Sequence, residues 1–273
     1  TVLFFDRIVV VLENRTYIYN FDEMRLIDAI ETYPNLKGLV AINPDPNNTV
    51  LATPDPQKGH VRLNVYEKNK SFNIPAHQAS LSALCLNQAG TLLATASEKG
   101  TLIRLFDTNT CQCIQELRRG KEKADINCIT IDKRSQRLAC SSDRNTIHIF
   151  TVSIDQRQAR GVIKNETEEE LKEGDKDEPK QADISKNVGS FLGKISRYFD
   201  SEWSYAKFKV PSEDQSALHT CAFNQEGSHL IVVGSEGTYY QVEISKKGEC
   251  KIVDRKTFSL DQIFILVGFW GFG

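Results

Sequence analysis

Two adjacent arginines, Arg118 and Arg119, stand in "CIQELRRG" directly before Gly120. A guanidinium stays charged at any physiological pH, and its planar fork meets phosphate oxygens two at a time, where a lysine acts as a point charge. The residues before the pair read as a strand that runs out at the rim, and Gly120 is expected to let the chain turn tightly there. Successive side chains on an extended chain point to opposite faces, so the pair is divided between two sites rather than shared by one.

Each direction has matching company. On the preceding side "PAHQAS" supplies His77, and "TASEKGTLIR" supplies Ser97, Thr101 and Arg104; with Arg118 they make a first candidate anion site. On the following side "SSDRNTIHIF" supplies Ser142, Thr146 and His148, which with Arg119 make the second. Hydroxyls, backbone N–H groups at glycine-rich turns and a further basic group are the donors that a phosphorylated headgroup requires. For one arginine taken alone, a solvated charge or a surface salt bridge is the commoner outcome. The repeated constellation is what points to phosphate. Counted along the chain, Thr101 to Arg104 is three residues and Thr146 to His148 is two, so matching Arg104 with His148 calls for a bulge.

These side chains need a repeating scaffold, and the sequence has one. "GLVAINPDPNNTVLATPDPQKGHVRLNVY", "SLSALCLNQAGTLLATASEKGTLIRLFDT", "INCITIDKRSQRLACSSDRNTIHIFTV" and "LHTCAFNQEGSHLIVVGSEGTYYQVEI" each read strand, polar turn, strand, turn, strand. A fifth copy, "DRIVVVLENRTYIYNF", opens the chain with its first strand missing. Val10, Ala52, Ala94 and Ala139 occupy equivalent central-strand positions 42, 42 and 45 residues apart, the period of four-stranded propeller blades. The fold class is therefore all-β, a β-propeller of WD-repeat type with about five blades, forming a single domain over residues 1–273. Blades bury their faces on one another, so the domain is expected to be N-terminally incomplete. The apolar, glycine-laced "IFILVGFWGFG" departs from the segments before it, and both ends are expected to be incomplete.

The period breaks once, at an inserted loop over residues 153–200, well beyond ordinary loop length. Lys164 to Asp183 carries thirteen charges in twenty residues and no aromatic residue, a composition expected to stay disordered. Beyond it Val188, Phe191, Leu192, Ile195 and Phe199 fall on one helical face, with Lys186, Lys194 and Arg197 off it. Such a short amphipathic helix either forms on a membrane or a partner, or packs against its own blade; the pattern leaves both open.

Composition excludes several classes. The chain has 273 residues with 34 basic against 36 acidic, so no global field recruits nucleic acid. Seven cysteines form an odd set with no CxxC pair, which reads as reduced and cytoplasmic. The five histidines show neither HExxH nor a Cys/His ligand spacing, so no metal is expected. No nucleophile elbow or phosphate loop is present, and "SEKG" and "GSEG" are hairpin turns too short to cradle a nucleotide, so the chain reads as no enzyme and as using no cofactor.

The repeat period, together with "ELRRG", "TASEKGTLIRLFDT", "SSDRNTIHIF" and "WSYAKFKVP", closely resembles the PROPPIN family of seven-bladed phosphoinositide-binding propellers. The resemblance covers residues 1 to about 255, and Leu117 before the arginine pair groups the chain with a leucine-bearing branch. It implies a peripheral membrane effector of autophagy that recognises phosphatidylinositol 3-phosphate and phosphatidylinositol 3,5-bisphosphate at the two rim sites. It further implies that the Val188 to Phe199 face dips into the bilayer, and that an autophagy lipid-transfer protein is a partner. The expected location is cytoplasmic, peripheral on phagophore or endosomal and vacuolar membranes, as a monomer. The alternative is a WD-repeat scaffold that binds only proteins.

Overall fold

Every full repeat opens with an Asn or Asp that closes its first hairpin through the side chain. Asn43 Oδ1 accepts the Val50 N–H at 2.7 Å, and Asn87 Oδ1 accepts those of Thr91 and Leu92 at 2.8 and 2.9 Å. Asp132 accepts from Gln136 and Arg137, both at 2.7 Å, and Asn224 accepts from His229 at 3.0 Å. A short polar side chain thus satisfies backbone donors that the turn leaves outside the ladder, which sets strand spacing without any core contact.

The computed structural model describes residues 2–4, 7–45, 48–153, 201–212, 214 and 216–258. Within them the chain forms five antiparallel sheets in sequence order. The first contains β1 (Val2–Phe4), β2 (Arg7–Val11), β3 (Arg15–Asn20) and β4 (Leu26–Glu31); the second β5 (Ala41–Ile42), β6 (Val50–Pro54), β7 (His60–Val65) and β8 (Lys70–Pro75). The third is β9 (Leu81–Leu86), β10 (Leu92–Ser97), β11 (Leu102–Asp107) and β12 (Cys113–Arg118). The opening repeat is not short of its first strand: β1 pairs with β2 in the register Val2↔Val9 and makes the first sheet four-stranded.

The fourth sheet is interrupted. Its strands β13 (Ile126–Ile131), β14 (Arg137–Ser142) and β15 (Thr146–Thr151) precede residues 154–200. The chain then adds β16 (Glu202–Trp203) in parallel to the outer edge of β12, and only afterwards supplies β17 (Ala206–Lys209) as the fourth strand beside β15. The fifth sheet is β18 (His219–Phe223), β19 (His229–Gly234), β20 (Thr238–Ile244) and β21 (Cys250–Thr257). Disorder in Lys164–Asp183 and the helical face from Val188 to Phe199 both lie outside the described residues.

Core clusters join successive sheets face to face, as blades require. Val9, Ile18 and Ile30 meet Leu51; Leu63 and Ile74 meet Leu93 and Phe106; Ile103 and Leu117 meet Leu138 and Phe150; Ile147 and Phe208 meet Val232 and Tyr240. Each such side chain contributes roughly 1.5–3 kcal/mol on burial. These clusters also settle which face of a strand looks toward which neighbour, and that decides where the polar residues at strand ends point.

Candidate anion-binding sites

In the third sheet Ile103, Leu105 and Leu117 pack toward the fourth, while Leu93 and Phe106 pack toward the second. The ladders pair Thr95 with Arg104, Arg104 with Glu116 and Leu102 with Arg118. Residues directly opposite in an antiparallel ladder share a face. Thr95, Arg104, Glu116 and Arg118 therefore lie on the face turned to the second sheet, and alternation puts Ser97 with them.

The first set is partly wired together. The Arg104 guanidinium donates through Nη1 to the Ala76 carbonyl at 2.7 Å and through Nε to Glu116 Oε2 at 2.7 Å. His77 Nε2 lies 2.9 Å from Thr95 Oγ1. Burial, and secondarily the Arg104 charge, push the His77 pKa down to about 4, so the ring is neutral at pH 7. Arg118 Nε donates to Ser201 Oγ at 2.7 Å. Thr101 stands apart: its carbonyl accepts the Arg119 N–H at 2.9 Å, so it is the ladder neighbour of Arg119 and shares that residue's face.

The second set forms between the third and fourth sheets. Arg119 is only 7% exposed; it donates through Nε to the Gly100 carbonyl at 2.6 Å and through Nη2 to the Glu122 carbonyl. Burial draws its pKa below the ordinary arginine value. Cys140 and Phe150 belong to the core shared with the third sheet, and Cys140 pairs with His148. His148, with Thr146 and Ser142 by alternation, thus faces the sheet that carries Arg119. Burial first, then Lys207 and Arg119, push the His148 pKa down to about 4. Its Nδ1 lies 3.1 Å from Ser204 Oγ. Thr146 Oγ1 donates to the Arg144 carbonyl at 3.2 Å, and Ser142 Oγ accepts the Arg144 N–H at 3.4 Å.

Three differences from the sequence reading follow. Matching Arg104 with His148 needs no bulge within the ladders: Arg104 pairs with Thr95 and His148 with Cys140, each partner two residues before the serine. The one-residue difference is taken up beside the turn. His148 is also not a cation at neutral pH; the charge beside it is that of Lys207, its ladder partner on β17. Gly120 has no left-handed φ, and a Cβ there would meet nothing within 4 Å, so the turn does not require glycine.

Sequence reasoning also missed Thr95, Glu116, Ser201, Ser204 and Lys207. The first two are the strand-register partners of Arg104, a signal available once the hairpin turn is fixed. The last three lie beyond a break of some fifty residues, where counting along the repeat gives no register. Val188, Phe191, Leu192, Ile195 and Phe199 lie outside the described residues.

Successive four- and five-stranded sheets packed face to face define a β-propeller. The PROPPIN family model matches residues 2–261, and the chain belongs to that family. Among curated relatives, Autophagy-related protein 18 of Dictyostelium discoideum is 30% identical over 265 residues, covering 93% of this chain and 68% of the relative. Autophagy-related protein 18e of Arabidopsis thaliana is 37% identical over 234 residues, covering 86% of this chain and 56% of its own length. Kluyveromyces lactis Hsv2 superposes with a TM-score of 0.67 at 20% identity, over 93% of this chain and 71% of that one. A complex of KlAtg21 with the coiled coil of AgAtg16 gives 0.66 at 21% identity, over 94% and 70%. The solved structures bear on the fold alone. The curated relatives are autophagy-related proteins and support an autophagy-related function.

Proposed function

We propose that the chain is a non-enzymatic peripheral membrane effector of autophagy that recognises phosphatidylinositol 3-phosphate and phosphatidylinositol 3,5-bisphosphate at its two rim sites. The observation that carries this reading is the division of Arg118 and Arg119 between opposite faces of one outer strand end, each face turned toward its own histidine and hydroxyls. With His77 and His148 neutral at pH 7, the charge available to a phosphate comes from Arg118 on one side, where Arg104 is already paired with Glu116, and from Arg119 and Lys207 on the other. Weak sites on one rigid rim reinforce each other, because after the first engagement the next is intramolecular. The apolar residues Val188 to Phe199 add hydrophobic contact with the bilayer in this reading.

Flotation with vesicles bearing 3-phosphoinositides tests it. Changing Arg118 and Arg119 together to threonine is expected to lower binding by at least tenfold, and undiminished binding overturns the proposal. A second reading has one observation behind it: KlAtg21, a structural neighbour, is solved with a coiled coil of AgAtg16. A purely protein-binding scaffold would show no phosphoinositide dependence. A protein partner, including a lipid-transfer protein, is compatible with either.

A further inference from the structure

Ser201 and Ser204 stand three residues apart on the segment by which the chain re-enters the propeller, and each touches a different site. Ser201, 3% exposed, accepts the Arg118 Nε hydrogen bond at 2.7 Å. Ser204 Oγ lies 3.1 Å from His148 Nδ1. Between them Glu202 and Trp203 pair in parallel with Leu117 and Arg118. The segment is thus fixed to the third sheet at one end and to the fourth at the other. The fourth sheet does not need this detour for closure, since β17 completes it downstream.

We propose that Ser201–Ser204 is a strap that positions both phosphate sites, Ser201 setting the Arg118 guanidinium and Ser204 setting the His148 ring. This rests on the phosphoinositide reading of those sites. An arginine side chain has many rotamers, and ordering it during binding opposes affinity; a hydrogen bond that holds Nε beforehand removes part of that cost. In a neutral imidazole the two nitrogens differ, and the partner of one decides the role of the other. When Nδ1 accepts the Ser204 hydroxyl, the proton resides on Nε2, which then is a donor suited to a phosphate oxygen. One four-residue segment thereby prepares an arginine on one rim pocket and a histidine on the next.

The test uses the full chain, vesicles containing phosphatidylinositol 3-phosphate, and heteronuclear imidazole spectra of the lipid-free protein. Ser201→Ala and Ser204→Ala are each expected to weaken vesicle binding by about tenfold, with the thermal midpoint unchanged and with recovery in Ser201→Thr and Ser204→Thr. Ser204→Ala, and not Ser201→Ala, is expected to shift the His148 nitrogen signals away from the Nε2–H tautomer, a change that loss of packing elsewhere would not produce. If the Arg118→Thr/Arg119→Thr protein binds as the wild type does, the reading of the sites has failed. If that double variant loses binding while both alanine variants keep it, or if the threonine variants do not recover, the strap is overturned. An unchanged His148 tautomer in Ser204→Ala overturns it as well.

Discussion

His77 and His148 belong one to each set, and burial holds both near pKa 4 against an ordinary value of 6.5. A base whose folded pKa is depressed takes up protons in the unfolded chain first. Their contribution to stability is therefore complete above about pH 6.5 and is lost as pH falls toward 4. Urea midpoints measured across that range are expected to climb with pH in the wild type and to climb less steeply in His77→Gln and His148→Gln. A flat wild-type profile would contradict the neutral, buried state of these rings. Both histidines were legible in the sequence as members of a donor set, but their protonation was not. That depends on how much core closes over them, and on Arg104 and Lys207, which reach them through folding.

At the level of strands and turns, the hairpins that present the sites repeat one geometry with different fillings. In the second sheet Thr53 pairs with Arg62 as Thr95 pairs with Arg104, but the residue two places on is Asp55, whose carboxylate takes the Arg62 Nε at 3.1 Å. There, as with Arg104 and Glu116, the strand arginine is already paired with a carboxylate; the second sheet lacks the two arginines that end the outer strand of the third, so repetition of strand and turn alone does not make an anion site. Gly100 shows what the turn beside Arg119 demands: its φ is +58°, and a Cβ would stand 1.8 Å from the Ala124 carbonyl oxygen. Gly100→Ala is expected to cost more than about 2 kcal/mol and to disturb Arg119, whose Nε donates to the Gly100 carbonyl. Gly120→Ala is expected to stay within about 0.5 kcal/mol. Denaturant titration of the pair checks both. Strand content and blade period could be read from the repeated segments and from Val10, Ala52, Ala94 and Ala139, whereas the hairpin-closing bonds of Asn43, Asn87, Asp132 and Asn224 emerged only with the fold. The face of Thr101 follows from the same counting: it stands three residues before Arg104, and an odd spacing on alternating positions puts the two on opposite faces.

Across the whole molecule, membrane affinity in this scheme is a product of separate contacts, so each should be removable by itself. Changing Phe191 and Ile195 to aspartate is expected to lower vesicle binding severalfold and leave binding of the soluble inositol bisphosphate headgroup unchanged. Parallel loss of both would assign those residues to the propeller instead. With basic and acidic residues nearly balanced, 34 against 36, salt should act on binding only through the few rim cations, giving a shallow dependence. The interruption of the fourth sheet has a consequence for chain continuity. The three strands before residue 154 and the one after residue 200 belong to a single hydrogen-bonded sheet, and β16 grips the sheet before it. A protease site engineered between those residues should therefore produce two polypeptides that still elute as one particle in native buffer and part only in denaturant. Folding would then have made the backbone bond across that interval dispensable, and the protein could be expressed as complementing halves.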